Sequence, residues 1–93
     1  MTIDKQLLEI LRCPVTKQQV FPLSTEKLDM LNNEIISGTV FQADGNTVKE
    51  KILDALITEN KNRIYRIEKN IPIMLEDESI LTDQIPGFHK SIE

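Results

Sequence analysis

The sequence predicts an α+β fold: a small antiparallel sheet of three to four strands, with an N-terminal helix and a second helix placed ahead of the last strands. Three observations carry that prediction. Arg63-Ile64-Tyr65-Arg66-Ile67-Glu68 alternates apolar and polar side chains, the period of a strand with a buried face. Leu7, Leu8 and Leu11 fall on one side of a helix, and so do Leu28, Leu31 and Ile35. The 93 residues suffice for one core and no second. Hydrophobic residues make up 40% and aromatic ones only 4%, so that core is built from Leu and Ile.

Taken in order, Asp4 is a helix N-cap with Ile3 before it, and Lys5, Gln6 and Glu9 form the outer face of the first helix. Pro14 stops this helix, because a residue before proline, here Cys13, is pushed toward extended geometry. Cys13-Pro14-Val15-Thr16 then reads as a tight knuckle. Residues 19–23 form a short strand whose Pro22 suits a sheet edge. Ser24 caps a helix over 25–37, with Leu28, Leu31, Ile35 and Ile36 as its apolar stripe and Met30 on the flank. Gly38 stands where a left-handed C-terminal cap is expected. Val40-Phe41 is a brief apolar pair and Asp44-Gly45 a turn. Residues 47–54 read either as a helical turn or as an irregular crossing, through Val48, Ile52 and Leu53.

Residues 55–58 form a strand, joined by the polar loop Glu59-Asn60-Lys61-Asn62 to the strand at Arg63, which makes an antiparallel hairpin. The buried face of that second strand is either Ile64/Arg66 or Tyr65/Ile67. The latter is favoured, because it leaves Arg63, Glu68 and the long stem of Arg66 near water. Lys69-Asn70 turns the chain, since Asn tolerates a left-handed backbone. Residues 71–75 are almost wholly apolar around Pro72, which cannot donate to a ladder and places the segment at an edge. An apolar edge left open is a liability unless something covers it, which points to a partner. After Leu75 come Glu76-Asp77-Glu78, and residues 76–93 are expected to form an acidic end and C-terminal tail or last short turn.

The formal charge of −4 argues against a nucleic-acid binder acting alone. No apolar run has the length of a membrane span and the N-terminus lacks a signal-peptide core, so a cytoplasmic domain is expected. Cys13 is the only cysteine, which excludes an internal disulfide. Paired with His89 it would make a thiol and base without an orienting third group, so a structural cysteine is the stronger reading. Zinc wants four Cys or His ligands and the chain offers two. No phosphate-binding glycine loop is present. Neither catalytic residues, nor a cofactor, nor a metal is therefore expected.

Leu7-Leu8-Glu9-Ile10-Leu11-Arg12-Cys13-Pro14, then Arg63-Ile64-Tyr65-Arg66-Ile67 and Asn70-Ile71-Pro72-Ile73-Met74-Leu75, resemble the tRNA methyltransferase 112-like family. That family runs from a leucine-rich helix into Cys-Pro-x-Cys, then a Cys-x-x-Cys hairpin, then Tyr-Pro-Ile-x-Asp-Gly-Ile-Pro-x-Leu-Leu. Cys13 stands at its first zinc ligand, but Thr16, Thr58 and Lys61 stand at the other three. Arg66 replaces its proline, and Lys69-Asn70 replaces Asp-Gly. The resemblance implies a bacterial-type, metal-free member that keeps a zinc-ribbon-like knuckle, a single domain over 1–93 with 24–54 as a helical insertion. That insertion and a larger aliphatic core would then supply the stability the metal gives shorter relatives.

The resemblance further implies a non-enzymatic subunit that binds, stabilises and activates S-adenosylmethionine-dependent methyltransferases acting on tRNA, rRNA or translation factors. It would dock by adding a strand and burying an apolar patch, for which Leu8, Leu11, Ile71, Pro72, Ile73 and Met74 are the candidates. The alternative is a self-associating small binding or scaffold protein, a homodimer when alone. No direct contact with nucleic acid or membrane is expected in either case.

Overall fold

The computed structural model describes residues 5–85 and Phe88. In chain order the elements are α1 (Lys5–Ile10), β1 (Val20–Pro22), α2 (Thr25–Ile36), β2 (Asp54–Thr58), β3 (Arg63–Glu68), β4 (Ile71–Pro72) and β5 (Ile80–Leu81). Single 3-10 turns cover Glu76–Glu78 and Thr82–Gln84. The sheet is antiparallel in the order β1-β2-β3-β4, with β5 also paired to β3. Thus β4 and β5 lie end to end along one side of β3: Ile67 faces Pro72, and Ile64 faces Ile80. The α+β class is as the sequence predicts, with five strands because the last two are only two residues long.

Both faces of the β2–β3 hairpin are covered. Leu56 and Ile67 join Val20 in one small cluster, with Leu11 and Met74 packed against it. On the other side Ile57 and Ile64 belong to the main core with Leu31, Ile35, Val40, Ile52, Ile80, Ile85 and Phe88. Tyr65 and Ile67 are buried as favoured, but Ile64 is buried as fully as Tyr65. The period-two pattern suggests one wet face, and Leu31 and Ile35 of α2 with Ile85 and Phe88 cover it instead. Arg66 is also drawn in, half-buried and ion-paired to Glu68 and Glu78.

α2 begins where Ser24 Oγ accepts the Lys27 N–H at 3.3 Å, a cap from an extended residue. It ends at Gly38, whose φ of 78° suits a residue without Cβ. Leu31 and Ile35 point inward, whereas Ile36 is 65% exposed and not on the stripe. Lys27 is buried in its place: Nζ donates to the Phe88 carbonyl and sits 4.5 Å from that ring's centroid. Residues 47–53 are irregular rather than helical. They are held by Val48 N–H to Val40 O at 2.9 Å, and by the Asn32 amide, which both accepts from and donates to the Ile52 backbone.

The segment after Leu75 is not a loose tail as far as it is described: an exposed acidic turn leads into residues that belong to the core. Ile80 pairs with β3, and Ile85 and Phe88 are almost fully buried. Asp4, Pro86, Gly87 and the stretch from His89 lie outside the described residues.

Candidate functional site

Lys69 and Asn70 both adopt left-handed backbone, φ 49° and 67°, which is the turn a two-residue hairpin needs. They return the chain along β3, so that Ile71 faces Glu68 and the Ile73 N–H reaches the Arg66 carbonyl at 2.9 Å. Backbone groups of residues 71 and 73 therefore point toward β3. Those of 72 and 74 point away from the sheet, since successive residues alternate. Pro72 lacks its N–H on the outer side, where β3 does not need it. The outer edge offers the Pro72 carbonyl and the Met74 N–H and carbonyl, and the backbone stays extended through Leu75.

The predicted docking residues divide between two faces. Met74 and Leu11 pack on the cluster of Val20, Leu56 and Ile67. Ile71 and Ile73 alternate onto the opposite face; Ile71 is 62% exposed, and Pro72 and Ile73 are half-buried. Leu8 belongs to α1, but its side chain lies outside what is described. Leu75, 54% exposed, continues the apolar surface at the end of the edge, and Ile10 at the end of α1 is 74% exposed. Both stand in the stretches that carry the family resemblance, and simple alternation from Ile71 and Ile73 reaches Leu75.

Arg66 fastens this edge to the acidic turn at Glu76–Glu78. Its Nε meets Glu68 at 2.7 Å and a terminal nitrogen meets Glu78 at 2.5 Å. Burial alone would lower the guanidinium pKa, but the two carboxylates raise it further than burial lowers it. A groove of about 660 Å³ lies between residues 47–54 and the β3–β4 turn, with Lys49, Lys51 and Lys69 beside Glu50, Asp54 and Glu68. Its rim carries both signs.

At the other end of the sheet the Cys13 knuckle is preserved in shape. Lys17 N–H bonds the Cys13 carbonyl at 2.9 Å, with Lys17 left-handed at φ 63°. The Cys13 sulfur is fully buried, 2.9 Å from the Tyr65 hydroxyl. Burial pushes the thiol pKa up, but bonds from the Thr16 hydroxyl, the Tyr65 phenol and the Thr16 and Val15 N–H groups carry it below its ordinary value. The facing knuckle closes through Thr58, whose hydroxyl donates to Asn60 Oδ1 at 2.8 Å and accepts the Arg63 N–H. Direct bonds stitch the two knuckles together: Asn60 N–H to Gln18 Oε1 at 3.0 Å, and Glu59 N–H to Gln19 O at 3.0 Å.

Among the described residues no three His, Cys, Asp or Glu side chains come together as a metal site. One thiol, already bonded to the Tyr65 phenol and accepting the Thr16 N–H, does not supply the four-ligand set of tetrahedral zinc. Hydrogen bonds alone join the two knuckles among the described residues.

Comparison with known proteins gives one family and one close fold. The family described as "Trm112p-like protein" matches residues 4–70. The solution NMR structure of XF2673 from Xylella fastidiosa is 40% identical, with a TM-score of 0.78 over 98% of this chain and 94% of that one. No curated protein matches the chain.

Proposed function

This chain belongs to the Trm112p-like family, and from that premise we propose that it is a non-catalytic partner subunit that binds, stabilises and activates S-adenosylmethionine-dependent methyltransferases acting on tRNA, rRNA or translation factors in the cytoplasm. The observation that carries this reading is the outer side of β4. Its carbonyl and N–H groups face away from the sheet, flanked by exposed Ile71 and Leu75. A strand from a partner would satisfy those groups and cover the side chains at once. Leu8, Leu11, Pro72, Ile73 and Met74 form the rest of the docking surface in this reading. No group of this chain takes part in methyl transfer; burying the partner's apolar surface holds that enzyme's active conformation. Residues 24–54 are the inserted stretch that, through α2, takes over the stabilising share of the lost metal. Among the described residues no helix is long and apolar enough to cross a membrane.

Affinity capture from the native host followed by mass spectrometry tests the reading. The wild-type chain should retain a methyltransferase, and Ile71→Asp should lose it by at least about tenfold, the effect of a central interface residue. Ile71 is exposed, so this variant keeps its far-ultraviolet circular dichroism, which half-buried Ile73 would not guarantee. Undiminished capture by Ile71→Asp would remove β4 as the docking site.

A further inference from the structure

We propose that the β4 edge is self-complementary, and that two copies of this chain pair through it, antiparallel, about a twofold axis at Ile73. The pairing follows from the register of the edge. Outward-facing backbone belongs to Pro72 and Met74, because the Ile73 N–H is committed to Arg66 and Ile71 pairs with Glu68. An axis at Ile73 sets Pro72 of each copy opposite Met74 of the other. Each Met74 N–H then donates to a Pro72 carbonyl, and the missing proline N–H forfeits only the reciprocal bonds. The same axis sets Ile71 opposite Leu75 in a non-hydrogen-bonded pair, where side chains approach most closely. These are the two most exposed apolar side chains of the 71–75 segment.

Charge agrees with this register. The turn carrying exposed Lys69 falls beside Glu76–Glu78 of the second copy, where Glu76 and Asp77 are exposed and Glu78 already holds Arg66. Moving the axis to Pro72 sets two prolines face to face with no donor between them. Moving it to Met74 sets Ile71 against Asp77. Only the Ile73 axis matches apolar with apolar and cation with acid. The strand is short, so the dimer is weak and its population rises with concentration.

The isolated full-length chain gives the test, so this proposal and the methyltransferase reading fail independently. Sedimentation equilibrium should move from the mass of one chain toward that of two as concentration rises, and Asp77→Lys should weaken association at least fivefold. Lys69→Glu combined with Asp77→Lys should restore it. Register is read by cross-linking: a mixture of Ile71→Cys and Leu75→Cys chains should oxidise to a disulfide-linked pair at least tenfold faster than either variant alone. Both positions are exposed and Cys13 is buried, so the new thiols react without disturbing the core. A chain that stays monomeric at every concentration, leaving the edge to a different protein, would overturn the proposal. So would a dimer indifferent to Asp77→Lys, or equal oxidation of the mixed and single variants.

Discussion

Phe88→Ala should cost about 3–5 kcal/mol of folding stability, the range for removing a fully buried aromatic ring. Phe88 is almost completely buried in the main core with Leu31, Ile57 and Ile64. Its ring also lies under the Lys27 ammonium, and its carbonyl accepts from the same group. Emptying the site removes the ring's contacts and exposes a lysine whose stem is buried against it. In a domain stabilised by about 5–15 kcal/mol overall, that loss is a large fraction. Thermal melting should fall by more than about 10 °C in a domain of this size. Phe88→Leu should recover most of it, because volume and apolarity are largely kept. A melting point within about 2 °C of wild type would mean that the chain beyond β5 is dispensable to the core.

The second large effect is a loss of stability in alkali, through Tyr65. Burial first, then its hydrogen bond to Cys13 and the charge of that thiolate, raise the phenol's pKa well above its usual value. A raised acid means that the fold holds the neutral form while the unfolded chain ionises near pH 10. Stability is therefore intact below about pH 10 and falls above it, by about 1.4 kcal/mol per pH unit. Cys13 acts in the opposite sense. Its thiol is held below the ordinary value, so its contribution is complete above about pH 9 and lost as pH falls through the folded value. Above pH 10 it cannot offset Tyr65. With one tyrosine and no tryptophan, tyrosinate absorbance reports this residue alone. The absorbance change should coincide with loss of circular dichroism, and Tyr65→Phe should abolish the tyrosine-linked step. Free titration near pH 10 in a folded chain would contradict the buried Cys13–Tyr65 bond.

How far such features could be read from the sequence depended on the kind of signal each one carries. The β2–β3 hairpin and the Lys69-Asn70 turn were legible because alternation and a residue tolerant of positive φ are local properties. α2 was legible from Ser24 to Gly38 for the same reason. Lys27 was not, since a helical lysine reads as solvated until a carbonyl and a ring from elsewhere in the chain are found above it. Ile80-Leu81, Ile85 and Phe88 are short apolar islands at irregular spacing, so no period announces β5 or the core beyond it. Residues 47–53 take their path from the Asn32 side chain and the Val40 backbone, partners remote in sequence. The β4 edge was legible through Pro72, but its division into two faces was not, because Met74 and Leu11 meet the Val20, Leu56 and Ile67 cluster only in the folded chain.

Amide hydrogen exchange at Met74, compared with Ile73 next to it, tests the open edge most directly. In dilute isolated chain the Ile73 amide, bonded to Arg66, should exchange slowly and the Met74 amide rapidly. Adding the captured methyltransferase should slow Met74 to the level of its neighbour. Equal protection of both amides in dilute isolated chain would contradict an edge left for another chain to complete.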